Sequence, residues 1–223
     1  MYALLAALLG FPLGPLALAE DAPESDRDRV LYFLGINVGR SLRGDFDLRA
    51  EEFETVSRGI KDTIEGREEK LDPAEYVAKL QALSRERKAA MIEVEKVESA
   101  AFVKRAAAAE GAVTTESGLV ITEIKAGTGN APGTTDTVKV HYHGTLRDGT
   151  VFDSSVQRGK PAEFPLNRVI PCWAEGLQRV KVGGKSRLVC PPEIAYGDRG
   201  SPPTIPGGAA LTFEVELLEI VAK

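Results

Sequence analysis

Apolar residues recur at helical spacing through the first half of the chain. Two stripes lie within residues 20–112, and Gly66 ends the second. Three to four positions separate neighbouring members of each stripe, which is typical of helices with one apolar face. The sequence therefore predicts two amphipathic helices, with stripes of Val30, Leu31, Leu34, Val38 and Leu42 in the first and Phe53, Val56, Ile60 and Ile64 in the second.

A third and longer helix is predicted to begin after Asp72. Aspartate is a helix-capping residue, Pro73 fits the first helical position, and Glu75 is placed to reach back to the amide of the cap. No Gly or Pro interrupts residues 74–110. A single helix there would hold about 37 residues and span roughly 55 Å, so it would extend beyond a small domain.

Alternation with a period of two begins after Gly111, where Gly, Pro and Thr also become frequent. This pattern is typical of strands with one buried face. We therefore expect a second, sheet-containing domain over residues 113–223, following a helical domain and stalk over residues 20–112. The inward positions are predicted to be Val138, Val140 and Tyr142 in one strand and Leu211, Phe213, Val215 and Leu217 in another.

Composition and charge narrow the classes of function. The 223 residues are 43% hydrophobic and 27% charged, which is typical of a packed globular protein rather than a disordered or multispanning one. The net charge of -5 offers no positive field for nucleic acid, so nucleic acid is not an expected partner. No phosphate-binding glycine motif is present, and no cofactor is expected.

The first 19 residues carry no charge and end in Ala17-Leu18-Ala19, a small-x-small pattern that precedes signal peptide cleavage sites. We interpret residues 1–19 as a signal peptide. Pro12 and Pro15 disfavour the alternative, a membrane anchor, and no cysteine lies near the cleavage site for lipid attachment. A signal peptide normally starts with Lys or Arg, so the lack of either places the true start codon in question. The expected location is the periplasm, with the cell surface or secretion as alternatives.

Catalytic groups are scarce in the second domain, since its serines have no neighbouring histidine motif. His141 and His143 share the outward face of one predicted strand. Two histidines at this spacing could bind a metal, but no third ligand is evident. Two surface imidazoles are the favoured interpretation, and no metal site is predicted.

Five segments of the second domain resemble the FKBP-type peptidyl-prolyl isomerases in order and spacing. They are VHYHG at residues 140–144, DGTVFDSS at 148–155, VIPCWAEG at 169–176, AYG at 195–197 and LTFEVEL at 211–217. The helical half looks similar to the N-terminal region of the macrophage-infectivity-potentiator class of bacterial FKBP-type isomerases, though less closely. The resemblance covers essentially the whole chain after residue 19.

The resemblance implies an α+β fold, in which an antiparallel sheet wraps around one short helix and an apolar pocket between them receives proline. Trp173 would form the pocket floor, and the Ile170 amide and Tyr196 hydroxyl would bind substrate carbonyls. For Asp153, a role in the site and a structural role beside a hydroxyl or guanidinium remain alternatives. The resemblance implies functional roles for the residues at matching positions of this sequence. The implied catalytic residues are Tyr142, Phe152, Asp153 and Tyr196, and the implied substrate-binding residues are Phe164, Val169, Ile170, Trp173, Ile205 and Phe213.

The implied function is isomerisation of X-Pro bonds in folding exported proteins and proline-containing peptides, without covalent chemistry. The alternative is a holdase chaperone that uses the pocket and the cleft of a dimer for binding only. The resemblance also implies a homodimer formed by the N-terminal helices, and it is compatible with macrolide inhibitor binding. Gly35 and Gly39 would suit close helix approach, either within one chain or between two.

Two departures from the family pattern concern the pocket. Ala162 stands where active relatives often carry an aromatic residue, which affects the expected rate and substrate preference. Cys172 replaces the usual glycine before the tryptophan. In an exported protein, Cys172 and Cys190 are candidates for a disulfide. The family fold packs the short helix over the strand with Cys190, which favours the disulfide over the alternative of two buried thiols.

Overall fold

The computed structural model describes residues 25–221. The pattern of contacts between residues divides them into two compact units, with the boundary between Glu69 and Lys70. The first unit contains helices α1 (Asp26–Phe46) and α2 (Ala50–Ile64). The signal peptide interpretation concerns residues 1–19, which lie outside the described range.

Both predicted stripes lie on helices of the first unit, and α1 begins with a complete capping box. The Ser25 hydroxyl accepts a hydrogen bond from the Asp28 amide at 3.1 Å, and the Asp28 carboxylate accepts one from the Ser25 amide. No residue that the structure describes in α1 or α2 is buried. Leu34 of the first stripe is 59% exposed and Ile64 of the second is 81% exposed, so within residues 25–221 nothing covers these side chains fully.

The second unit begins with the long helix α3 (Pro73–Ala107), whose 35 residues confirm the prediction of one uninterrupted helix. Asp72 caps it as expected, because its carboxylate accepts a hydrogen bond from the Ala74 amide at 3.0 Å. The prediction that the Glu75 side chain binds the backbone amide of the cap residue Asp72 is wrong. The Glu75 carboxylate pairs instead with Lys79, one turn further along.

Residues 25–221 contain seven strands, which are β1 (Ala112–Thr114), β2 (Val120–Lys125), β3 (Thr137–Leu146), β4 (Val151–Ser154), β5 (Ala162–Pro165), β6 (Lys185–Cys190) and β7 (Leu211–Val221). They form one antiparallel sheet in the order β1-β2-β6-β7-β3-β4, and β5 pairs with the other end of β3. The longest pairing joins β3 to β7, with Tyr142 opposite Val215 and Gly144 opposite Phe213.

The hydrophobic core lies between one face of this sheet and the short helix α4 (Pro171–Leu177). The predicted inward positions of β3 and β7 are all buried, which confirms the alternation derived from the sequence. Trp173 and Leu177 of α4 belong to the same core cluster. The fold is therefore the predicted one, a helical N-terminal region followed by an antiparallel sheet around a short helix.

Helix α3 groups with the sheet because its C-terminal half packs against β1, β2 and β6. The boundary between the two compact units thus lies earlier in the chain than the change of composition near Gly111. Among residues 25–221, no helix has the length and apolar character needed to cross a membrane.

Candidate functional site

A cavity of about 530 Å³ opens beside α4 in the second unit. Its walls come from the strands β3, β4, β5 and β7 and from the loop before β7. All ten residues that the resemblance assigned to the pocket line this cavity: Tyr142, Phe152, Asp153, Phe164, Val169, Ile170, Trp173, Tyr196, Ile205 and Phe213.

Trp173 lies at the centre of the aromatic lining and is only 5% exposed. Its ring centroid is 5.2 Å from that of Tyr142, 5.4 Å from that of Phe164 and 5.2 Å from that of Phe213. All three contacts are edge-to-face, the geometry that aromatic quadrupoles favour. The indole Nε1 is buried without a hydrogen-bond partner among the described residues. The centre of the cavity is thus a rigid, apolar and aromatic surface.

Gly144 makes room for a second aromatic pair at one side of the cavity. The Phe152 and Phe213 rings meet edge-to-face with centroids 5.4 Å apart. A Cβ atom at residue 144 would lie 2.6 Å from Cζ of Phe152 and 3.2 Å from Cε1 of Phe213. Any larger residue would therefore displace the Phe152 ring from the cavity wall.

Asp153 is the only carboxylate among the described residues that line the cavity. The Tyr142 hydroxyl donates to its Oδ2, and Nη1 of Arg158 pairs with its Oδ1. Partial burial acts to raise the pKa of Asp153, but these two hydrogen bonds outweigh it and hold the pKa below its usual value. The carboxylate is therefore ionised at neutral pH.

Tyr142 belongs to the same polar group through its hydroxyl. Burial is the main cause that raises the pKa of Tyr142, and the hydrogen bond to Asp153 raises it further. The phenol therefore stays protonated at neutral pH and donates to the carboxylate. Asp153 lines the cavity and also binds a hydroxyl and a guanidinium, so its position is compatible with both of the alternatives that the sequence left open.

The two hydrogen-bond donors that the resemblance assigned to substrate carbonyls are both available to a ligand. The Tyr196 side chain is partly exposed, and its hydroxyl contacts no acceptor among residues 25–221. The Ile170 amide, just before the first turn of α4, likewise donates to no acceptor in the described chain. The cavity thus combines an apolar floor with a small number of polar groups.

Sequence reasoning missed several residues around the cavity. Arg158 was not identified, although one sequence-based alternative for Asp153 was a structural role beside a hydroxyl or guanidinium. The other missed residues come from a three-residue 3₁₀ helix and from the loop before β7, where no periodicity marks the side chains that point inward. They are Arg168, Ser201, Pro202 and Thr204. Ala162, in contrast, packs against the core and does not line the cavity among the described residues.

The two histidines are half-buried beside serines rather than free on the surface. Nδ1 of His141 lies 3.2 Å from Oγ of Ser155, and Nδ1 of His143 lies 3.0 Å from Oγ of Ser154. No cluster of three or more metal-ligating side chains occurs within residues 25–221. The histidines are therefore held by the last residue of β4 and by the residue that follows it.

Cys172 and Cys190 are fully buried and joined by a disulfide in the structure, with Cα atoms 5.8 Å apart. This separation lies within the normal range for a disulfide. Cys172 directly precedes Trp173 on α4, and Cys190 ends β6. The bond would tie the floor of the cavity to the sheet.

Comparison with known proteins identifies both halves of the chain. Residues 129–218 match the model for the FKBP-type peptidyl-prolyl cis-trans isomerase family, and residues 27–121 match that for the domain amino terminal to FKBP-type peptidyl-prolyl isomerase.

Individual relatives match over most of their length. The chain is 43% identical over 198 residues to the FKBP-type 22 kDa peptidyl-prolyl cis-trans isomerase of Escherichia coli K12, covering 85% of this chain and 93% of the relative. It is 34% identical to the peptidyl-prolyl cis-trans isomerase Mip of Coxiella burnetii, covering 96% of each chain. The crystal structure of FkpA from Escherichia coli superposes with a TM-score of 0.68 at 33% identity, covering 89% of this chain and 98% of that chain. Together with the aromatic cavity, these matches mean that the chain belongs to the FKBP-type peptidyl-prolyl cis-trans isomerase family.

Proposed function

We propose that this chain is an exported isomerase that binds the proline of a folding protein in the cavity around Trp173. The observation that carries the proposal is the aromatic floor, in which Tyr142, Phe164 and Phe213 all contact the Trp173 ring edge-to-face. A floor of this kind suits the compact, apolar ring of proline. Residues 113–223 would form the catalytic domain, and residues 20–112 would form the helical region.

The proposed reaction needs an apolar surface more than it needs acids or bases. Rotation about an X-Pro bond breaks no covalent bond, but loss of amide resonance gives a barrier of about 18–20 kcal/mol. The twisted transition state is less polarised than the planar amide. A dry aromatic cavity therefore destabilises the planar ground state more than the transition state, which lowers the barrier. Each 1.4 kcal/mol removed from the barrier makes the rotation about tenfold faster.

The free donors of the cavity would fix the orientation of the peptide. In the proposed complex, the Ile170 amide and the Tyr196 hydroxyl each bind a carbonyl oxygen of the substrate. Both donors lie on the cavity and lack acceptors among residues 25–221. Their role is to hold the chain on both sides of the proline while the X-Pro bond rotates.

We assign Asp153 a positioning role at the rim of the cavity rather than a proton-transfer role. Its carboxylate is ionised, and both of its oxygens are engaged by Tyr142 and Arg158. A carboxylate held in this way cannot readily accept a substrate proton. It fixes the Tyr142 ring, which is itself in contact with Trp173.

The export part of the proposal rests on the uncharged stretch at residues 1–19 and on the small-x-small pattern that ends it. The proposed location is the periplasm. N-terminal sequencing of the protein purified from a periplasmic extract tests this point. A chain beginning at Glu20 is expected, whereas a chain that retains residues 1–19 would contradict cleavage.

We also propose that the first unit forms a homodimer. Helices α1 and α2 contain no buried residue among those described, yet they carry two apolar stripes. Packing of an apolar face provides most of the stability of short helices in water. A second copy of the same unit would cover these stripes with an equally apolar surface, which makes self-association the favoured solution.

The exposed apolar helices also favour a second candidate function, a holdase that binds unfolded clients without catalysis. Exposed side chains such as Leu31, Leu34 and Phe53 could contact an unfolded chain. The two functions are compatible. They differ in what the aromatic cavity does, because a holdase would bind proline there without accelerating rotation.

A protease-coupled assay with a proline tetrapeptide separates these functions. We expect wild type to accelerate isomerisation and Asp153→Ala to do so less well. Glu163→Ala is the matched control, because Glu163 is exposed on β5 beside Phe164 and does not line the cavity. If wild type gives no acceleration but still suppresses aggregation of a denatured client, the holdase function is correct and the isomerase function is not.

A further inference from the structure

Helix α3 contacts two segments that are continuous with residues lining the cavity. One is the loop of residues 196–210, here called the rim loop, which carries Tyr196 and Ile205. The other is the turn of residues 147–150, which leads into β4 with Phe152 and Asp153. Both segments belong to the same compact unit as α3.

Ser99 of α3 binds the end of the rim loop. Its side chain is fully buried, and its hydroxyl accepts a hydrogen bond of 2.7 Å from the Ala210 amide. The same hydroxyl lies 3.4 Å from Oε1 of Glu95, to which it donates. Because the Ala210 amide is also buried, loss of the Ser99 hydroxyl would leave it without this acceptor.

Glu95, one turn before Ser99, binds the turn between β3 and β4. Nε of Arg147 donates to Oε1 of Glu95 at 3.0 Å, and Nη2 donates to Oε2 at 3.1 Å. The Glu95 side chain is only 18% exposed. This two-point contact fixes both the position and the orientation of the guanidinium. The polar chain from Ala210 through Ser99 and Glu95 to Arg147 therefore connects the rim loop and the β3–β4 turn to one helix.

The rim loop also lies directly against the backbone of α3. A Cβ atom at Gly208 would be 2.9 Å from the Ile92 carbonyl oxygen, so no side chain fits between the loop and the helix there. Near the start of the loop, Asp198 pairs with Lys96 at 2.8 Å. The loop is thus attached to α3 near its start, at Asp198, and near its end, at Gly208 and Ala210.

We propose that Glu95 and Ser99 are positioning residues for the cavity, an inference that rests on the proposed function of that cavity. They hold the rim loop and the β3–β4 turn at a fixed separation, so that Tyr196 faces the wall formed by Phe152. The long helix is then part of the isomerase site as well as a spacer.

Most of the hydrophobic core lies outside this contact, and the rim loop contributes only Ile205 and Ala209 to the described core cluster. No residue of α3 belongs to the core cluster of buried residues described in the structure, which is built from the strands, α4 and nearby loops. Weakening the contact should therefore release the rim loop locally without unfolding the sheet. A positioning role and a general structural role consequently predict different results.

The test uses the full chain with the variants Ser99→Ala and Glu95→Gln. Matched controls are Ser57→Ala, which removes a helical serine in the first unit, and Glu86→Gln, which alters an exposed glutamate on α3. For Ser99→Ala and Glu95→Gln we expect kcat/KM for a proline tetrapeptide to fall by roughly three- to tenfold. The controls should match wild type, and Ser99→Thr, which keeps the hydroxyl, should stay close to it.

Amide hydrogen exchange of the same proteins provides the second measurement. The amides of Ser201 and Gly208 form hydrogen bonds within the rim loop, whereas Val140 and Val215 lie in central strands. Both variants should accelerate exchange in the loop and leave the strands unchanged.

Equal acceleration of exchange in loop and strands would overturn the proposal. So would an unchanged kcat/KM despite faster exchange in the loop, or an equal loss in Ser99→Thr. If wild type itself lacks activity, the proposed function fails, while the exchange data still test the attachment of the loop.

Discussion

Nη2 of Arg158 donates a 2.8 Å hydrogen bond to the Tyr142 hydroxyl, while Nη1 pairs with Asp153. The Tyr142 hydroxyl in turn donates to Asp153, so the three side chains form a closed triangle at the rim of the cavity. Cζ of Arg158 is also 5.6 Å from the Tyr142 ring centroid, within the range of a cation–π contact. The Tyr142 ring is therefore constrained from outside by Arg158 and from inside by Trp173.

Replacing Arg158 should affect activity more clearly than stability. The Arg158 side chain is 51% exposed, and exposed ion pairs contribute only about 0–1 kcal/mol to stability. We expect Arg158→Met to unfold in urea close to the wild-type midpoint but to lose roughly two- to fivefold in kcat/KM, because Tyr142 loses one constraint. Arg179→Met, which removes a similarly exposed pair with Glu175, is the control. Equal activity of both variants would exclude a role for the triangle.

Removing an aromatic wall should cost more activity than removing one hydrogen bond. Phe152→Ala eliminates the ring that packs on Phe213, so we expect a loss of at least about tenfold in kcat/KM. Tyr196→Phe removes only the hydroxyl, worth about 0.5–1.5 kcal/mol, which corresponds to roughly a two- to tenfold loss. Activities are compared at equal folded fraction by circular dichroism. Wild-type activity of Phe152→Ala would contradict the assignment of the pocket.

Much of the fold follows from periodicity. The alternation in β3 and β7 predicts which side chains are buried, since successive residues of a strand point to opposite faces. The ten predicted cavity residues depended on the family resemblance, because periodicity alone does not bring Tyr142 together with Tyr196. Arg168 was missed because it ends a 3₁₀ helix of only three residues, and Thr204 because it lies in a turn, and neither segment is long enough to show a periodicity.

The contacts of α3 could not be predicted for a different reason. Glu95 and Ser99 are polar, and without a known partner such residues on a helix indicate a solvated face. Their partners Arg147 and Ala210 are 52 and 111 residues away in sequence. A local pattern contains no information about hydrogen bonds at that separation, so the helix was interpreted as a stalk.

The pKa of Asp153 predicts how its triangle responds to acid. A carboxyl group whose pKa is lower in the folded state adds stability that is complete above its unfolded pKa of about 3.9. That stability is lost as pH falls through the lower pKa of the folded state. We expect wild type to be more resistant to urea than Asp153→Asn at pH 7, and the difference to shrink below pH 4. A difference that is constant from pH 7 to pH 3 would contradict this account.

Dimer formation should depend on the apolar stripe of α1. Leu34→Glu places a charge on this stripe, whereas Asn37→Glu introduces the same charge at a polar exposed position. We expect light scattering to give a dimer for wild type and Asn37→Glu and a shift toward monomer for Leu34→Glu.

The monomeric variant should still isomerise short peptides, because the cavity lies within the second unit. It should refold large clients less well. A monomeric wild type in dilute solution would contradict the proposed dimer.

The last prediction concerns the bond between Cys172 and Cys190. Their sequence separation is 18, and in the chain-entropy model closing a loop of that size adds roughly 3 kcal/mol to stability. Because Cys172 precedes Trp173, reduction should also loosen the floor of the cavity.

We expect protein from the periplasm that is alkylated under denaturing conditions without reductant to show no added mass. The reduced protein should unfold at a lower urea concentration than the oxidised protein. The variant Cys172→Ala/Cys190→Ala should match the reduced protein and be insensitive to reductant. Two alkylated thiols in the unreduced sample would show that the bond does not form in the cell.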